Sequence, residues 1–210
     1  MSNGPVSEDR LTPEHNTPQY QRGEYIPGAG KVGVMIFIAS LAMLFSASMV
    51  GYLVIRLQAG ENWPPPFMPP LPKQGLAVST VVLMISSLTH WFASRSIRRG
   101  NQTGLLAGLI LTTLLGVAFL VLQWINWSDL IQMQMAPGTK NLYAFTFYML
   151  TGLHALHIIG GLMILTIVTI KASRDTYSPQ YHPGVEYSSL YWHFLDIIWL
   201  IIFFVLVVYG

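Results

Sequence analysis

The sequence predicts an all-α integral membrane protein: five transmembrane helices in a bundle, N-terminus inside and C-terminus outside. Three observations predict it. Of 210 residues, 52% are hydrophobic and only 10% are charged, where a soluble domain carries about 25% charged residues. Five stretches reach the ~20 mostly apolar residues that a spanning helix needs. The Lys and Arg residues between those stretches fall unevenly on alternate sides.

The same composition excludes several classes. The 11 basic and 9 acidic residues form no clustered basic surface of the kind nucleic acid requires, so no nucleic-acid partner is expected. There is no cysteine, which removes disulfides, thiolate metal sites and cysteine nucleophiles. No internal repeat is visible.

Residues 1–29 are polar, rich in Pro, Gly and Asn, and without hydrophobic periodicity; they read as a flexible cytoplasmic tail. No signal peptide is expected, because the start lacks the basic-then-apolar pattern with a cleavage site. The membrane domain is expected over 30–210. Its first span covers about 32–57, "VGVMIFIASLAMLFSASMVGYLVIRL". The segment after it, "AGENWPPPFMPPLPKQG", holds six prolines and cannot be helical throughout; it should follow the membrane surface with Trp63 in the interfacial belt. The second span, about 75–94, is the most polar. Its "SSLTH" can satisfy its hydroxyls on the backbone or on neighbouring helices. A short basic turn, "RSIRRGNQTG", leads to the third span at about 104–127. The fourth covers about 142–170 and the fifth about 187–209.

Five spans put Arg10, Arg22, Lys31, Arg95, Arg98, Arg99, Lys171 and Arg174 on one side, against Arg56, Lys73 and Lys140 on the other. The positive-inside rule therefore places the N-terminus in the cytoplasm.

Polar residues inside spans are the candidate functional positions. On the fifth helix Glu186, Ser189, His193 and Asp196 share one face by their spacing. On the fourth, Thr151, His154, His157 and Gly161 do the same, and Gly152, Gly160 and Gly161 permit close helix approach. The two helices are consecutive and antiparallel, so these stripes are expected to face each other. Rising ~1.5 Å per residue, His157 and Asp196 reach the middle third of the bilayer. Three readings stand at this point. The histidines, with His90, resemble no zinc-hydrolase pattern, since HxxH is not HExxH, but two of them on facing helices would suit a b-type haem. An ionisable residue in a membrane is by default a candidate for proton relay. The third reading is an interhelical hydrogen-bond network of His154, His157, Glu186, His193 and Asp196 that specifies packing, each bond contributing ~0.6 kcal/mol.

These residues also carry a family resemblance. "YWHFLDIIWL" (Tyr191 to Leu200) closely resembles the last helix of subunit III of haem-copper cytochrome c oxidases, and "TGLHALHIIGG" (Thr151 to Gly161) resembles the helix before it. "NWPPP", "RRGNQTG" and "LLGVAFLVLQWINW" are similar to the family's tryptophan-proline loop, basic turn and glutamine-containing helix, in the family's order over roughly 30–210. The chain resembles the five-span bacterial form, which lacks the first two of seven helices.

The resemblance implies a multi-pass protein of the bacterial inner (plasma) membrane. It implies an accessory subunit without haem, copper or other metal, packed beside subunit I, with subunit II in the same complex. Haem and copper reside in those partners, and the complex reduces oxygen to water and pumps protons. The family's subunit III binds phospholipid in a cleft, supports proton uptake into subunit I and protects it from turnover inactivation. Trp63, Arg98, Arg99, Trp192 and Trp199 are the candidates for lipid or interface contacts. The histidines would be structural, with His193 and Asp196 buried against the fourth helix or a partner.

Two positions depart from the family pattern. Leu41 in "SLAMLF" and Asn126 in "QWINW" stand where the family carries glutamates, so a proton antenna or acid–lipid contact resting on those carboxylates has no residue here. Similar subunits accompany quinol oxidases and nitric oxide reductases, which keeps the electron donor open. A stand-alone transporter would show inverted-topology halves or broken helices; five spans without a repeat do not.

Overall fold

The computed structural model describes residues 29–63, 65, 71–133 and 142–209; the tail and most of the proline-rich segment lie outside them. The described residues form five helices and one short 3₁₀ turn, with no strand. They are α1 (Ala29–Ala59), α2 (Lys73–Arg98), α3 (Gln102–Gln132), α4 (Leu142–Ala172) and α5 (Pro183–Tyr209), and each is long and apolar enough to cross a membrane. All five run beyond the apolar windows that predicted them. The reason is local: backbone hydrogen bonding continues through polar residues until a specific stop, whereas hydropathy falls at the first of them.

The stops are legible in the backbone. At the end of α2, Gly100 adopts φ +76°. Its N–H donates to the Ile97 carbonyl at 2.9 Å and that of Asn101 to the Ser96 carbonyl at 3.0 Å. This is the Schellman pattern, in which a left-handed residue satisfies the last carbonyls of a helix. Asn101 then opens α3, its side chain accepting from the Gly104 N–H at 2.8 Å. The end of α4 repeats the device with a non-glycine residue: Asp175 sits at φ 51°, and the N–H groups of Asp175 and Thr176 reach the carbonyls of Ala172 (3.1 Å) and Lys171 (3.3 Å). Pro183 begins α5, where its fixed φ suits a first turn.

The bundle is asymmetric. α2 and α3 pair tightly; a Cβ on Gly108 would lie 2.7 Å from the Cβ of Ala93. α3 packs on α4, α4 on α5, and α5 on α2. α1 packs on α4 and α5, and among the described residues it makes no close backbone approach to α2 or α3. The core centres on Trp192, which is fully buried. Its ring fills the space left by Gly116 of α3 and Gly161 of α4, where a Cβ would lie 2.8 Å and 3.0 Å from ring carbons. Its Nε1–H donates to Ser86 Oγ of α2 at 2.9 Å, so one side chain ties four helices. Trp199 is likewise buried; it donates to Thr80 Oγ1 at 3.0 Å and stacks edge-on against Phe119.

Candidate functional site

Ser188, Trp192, His193 and Trp199 of α5 turn polar atoms towards α2. Along this antiparallel seam, Trp199 meets Thr80, Trp192 meets Ser86, His193 meets Ser87, and His90 meets Ser188. The α2 partners recur at near-heptad spacing because residues three and four apart share a helical face. His193 Nδ1 lies 2.7 Å from Ser87 Oγ. His90 Nε2 is 3.3 Å from Ser188 Oγ, and Ser188 donates its own proton to the Val185 carbonyl. His90 therefore donates from Nε2, and its Nδ1 accepts from Ser94 Oγ at 3.4 Å. The two imidazoles stand 5.9 Å apart, edge to face.

Asp196 is buried beneath His193, its Oδ2 3.7 Å from His193 Nδ1. Neither carboxylate oxygen has a hydrogen-bond partner among the described residues. Ser87 and Asp196 approach the same ring nitrogen. A serine–histidine–aspartate relay uses both nitrogens, one for each partner, so this arrangement does not build a nucleophile.

The five residues expected to form one network fall into three places. Glu186 lies at the start of α5, 3.6 Å from His182 Nε2. His193 and Asp196 share the α2–α5 seam. His154 and His157 lie on α4 and face α1, α3 and α5 through aromatic rings rather than through the carboxylate. His154 is fully buried among Phe45, Phe119 and Trp199, with both ring nitrogens unpartnered among the described residues. His157 turns Nδ1 back to the Leu153 carbonyl at 2.8 Å, and its own carbonyl accepts from the Tyr191 hydroxyl at 3.0 Å. The α4 and α5 polar stripes thus do not meet, because Trp192 and Trp199 take up the α4–α5 contact. These two tryptophans, expected at lipid or subunit surfaces, are interior. Trp63 is buried as well, held edge-on between Tyr52 and Tyr143 with ring centroids 5.7 and 4.8 Å away. Arg98 and Arg99 are exposed at the end of α2. Among the described residues no three His, Asp or Glu side chains converge as a metal would need.

The two departures from the family pattern have clear environments. Leu41 is buried, one helical turn before Phe45. Asn126 donates from Nδ2 to Ser79 Oγ at 3.2 Å, joining α3 to α2. The sequence marked "SSLTH" of α2 for contacts with neighbouring helices but did not identify α5 as the partner; the recurrence of Thr80, Ser86, Ser87 and His90 along one side of α2 was the available signal.

A cleft of about 580 Å³ opens where α1 stands away from α2, above α5. Met35, Ile38, Leu190, Phe194 and Ile197 line it, and Lys31 and Arg98 stand at one end. A second groove, about 680 Å³, runs along the outer face of α2; Val81, Met84, Leu88 and Trp91 wall it, with Ser87 and His193 at its base.

Residues 14–210 match the family described as Cytochrome c oxidase subunit III. The chain is 32% identical over 194 residues to Cytochrome c oxidase subunit 3 of Gallus gallus, covering 90% of this chain and 70% of that one. It is 32% identical over 183 residues to Probable cytochrome c oxidase subunit 3 of Mycobacterium tuberculosis (strain ATCC 25618 / H37Rv), covering 86% and 88%. With the Homo sapiens Cytochrome c oxidase subunit 3 it shares 30% identity over 205 residues, covering 94% and 74%.

Proposed function

This chain belongs to the cytochrome c oxidase subunit III family, and on that premise we propose that it is a non-redox accessory subunit of a respiratory haem-copper terminal oxidase in a bacterial plasma membrane. Subunit I is its direct neighbour, and subunit II belongs to the same complex. It stabilises subunit I, supports proton uptake into it and binds phospholipid. The observation that carries this reading is the family match over 14–210 in a chain whose described part is five spanning helices. The eight-to-three division of Lys and Arg supports a cytoplasmic N-terminus and an outward C-terminus.

The cleft between α1, α2 and α5 supports the lipid role. Its apolar walls suit acyl chains, and the end holding Lys31, Arg98, His182 and Glu186 suits a headgroup that carries both an anionic phosphate and a cationic or hydrogen-bonding group. Proton uptake would be supported without carboxylates at 41 and 126, so this chain would act by holding its neighbour's geometry rather than by relaying protons from those positions.

The test is purification of the tagged chain in mild detergent. A haem-copper subunit I should co-purify with its haem absorbance, and the chain separated from it should hold no stoichiometric iron, copper or zinc. Replacing Lys31 and Arg98 together with Ala should lower the phospholipid retained. Recovery without any oxidase subunit, or with one metal per isolated chain, would sink the reading.

A further inference from the structure

At ~1.5 Å per residue, His193 lies ~15 Å and Asp196 ~20 Å from the Pro183 end of α5. Asp196 is 4% exposed, in the middle third of a hydrocarbon core ~30 Å thick. The groups that face it are His193, whose Nδ1 is 3.7 Å from Oδ2, and Ser87, whose Oγ approaches the same nitrogen at 2.7 Å. Among the described residues no lysine or arginine joins them. α5 carries none, and the first that α2 carries on the histidine side of Ser87 is Arg95, ~12 Å along the helix. α1 has its charges near its two ends, at Lys31 and Arg56. On α4, His154 lies against Phe45, Phe119 and Trp199, and His157 Nδ1 is bonded to the Leu153 carbonyl. α3, which packs on α2, has no titratable group before Asp129.

A carboxylate without a countercharge at that depth is heavily disfavoured. A single proton removes the imbalance. On Asp196 it leaves a neutral acid; on His193 it leaves an imidazolium that balances the carboxylate. In both cases the pair holds one proton more than a bare carboxylate and a neutral ring.

The pair opens in one direction. His193 lines the cleft that ends at Lys31, Arg98, His182 and Glu186. Beside it the His90 ring stands edge to face, 5.9 Å between centroids, which is contact range for two rings. Ser94, in the cleft wall, meets His90 Nδ1 at 3.4 Å. In the other direction α5 has no titratable residue from Ile197 to Val208, and α2 has none between Ser87 and Lys73.

We propose that Asp196 and His193 form a proton-binding site in the middle of the bundle, loaded from the Arg98 end through His90. A proton taken up at His90 Nδ1 leaves that ring from Nε2, and a turn of either ring about its Cβ–Cγ bond passes it to His193. The His90 ring is neutral before and after, and the proton comes to rest on the pair. The site belongs to this chain itself, whichever partner it assembles with.

Solid-state NMR of membranes holding the full chain in its complex, isotope-labelled in histidine and aspartate, tests it; Asp196→Asn and His193→Gln identify the two signals. Near neutral pH we expect a protonated carboxyl beside a neutral imidazole, or a carboxylate beside an imidazolium. A carboxylate beside a neutral imidazole overturns the site. In heavy water, His90→Phe should slow hydrogen–deuterium exchange of the His193 ring severalfold, and Ser94→Ala should slow it in the same direction. The Trp192 indole N–H, bonded to Ser86 on the same seam, controls for the fold. Where it keeps its wild-type rate, exchange at His193 that is not slowed overturns the route; if His90→Phe disturbs it, Ser94→Ala decides.

Discussion

Trp192 shows how much of this bundle depends on single positions. Its ring occupies volume that two glycines concede, and its N–H ends on a serine of a third helix. Gly161→Val should push on a ring that has nowhere to go, since the Cβ already falls 3.0 Å from it. We expect an apparent loss of about 1–3 kcal/mol from overpacking, read as a lowered thermal midpoint in detergent. Trp192→Phe keeps most of the packing but strands Ser86 Oγ, and should cost about 1 kcal/mol. Sequence spacing marked Gly161 as a place of close approach, and that part was legible. The occupant was not. Tryptophan is common at membrane interfaces, so Trp192 and Trp199 read as surface anchors. The rotation of α5 about its axis decides that they face inward; the polar stripe through His193 and Asp196 marks a buried side of α5, and Trp192 and Trp199, four residues before and three after Asp196, lie beside it. The same rotation sends His193 to Ser87 instead of to α4.

At the scale of elements, the ends of α2 and α4 use one device with different residues. Both need a left-handed conformation after the last turn, which glycine adopts without strain and an L side chain adopts at about 1–2 kcal/mol. Gly100→Ala should therefore lower stability by about 1 kcal/mol. The space around it is not the cause, since a Cβ would meet Pro179 at an ordinary 3.7 Å. Asp175→Gly, at φ 51°, should leave stability unchanged or raise it. Thermal unfolding of the two variants side by side checks the pair, and equal losses would refute the conformational account. The number of helices and their order could be read from apolar length alone. Their ends could not, because a capping turn is written in two or three residues whose role depends on backbone angles. "RRGN" is an exception: glycine followed by asparagine between two apolar runs marks a stop and a start.

For the whole molecule, the alternation of spans fixes a topology that reporters can read. Fusions after Arg99 and after Arg174 should report cytoplasm, and one after Gly210 the opposite side; a cytoplasmic signal at Gly210 would mean an even number of spans. Within that topology, α1 rests on α4 and α5 and leaves the cleft beside α2. This arrangement has a consequence for biogenesis. α1 precedes the other four helices in the chain, and the two helices it packs on, α4 and α5, come after the α2–α3 pair. A chain halted after Ala172 would present α1 with α4 alone, and without the α5 surface where Phe37 stacks on Tyr191 and Gly30 abuts Tyr187. The seat of α1 in the bundle is thus completed by α5, so damage to α5 is expected to loosen a helix more than 120 residues before it as well.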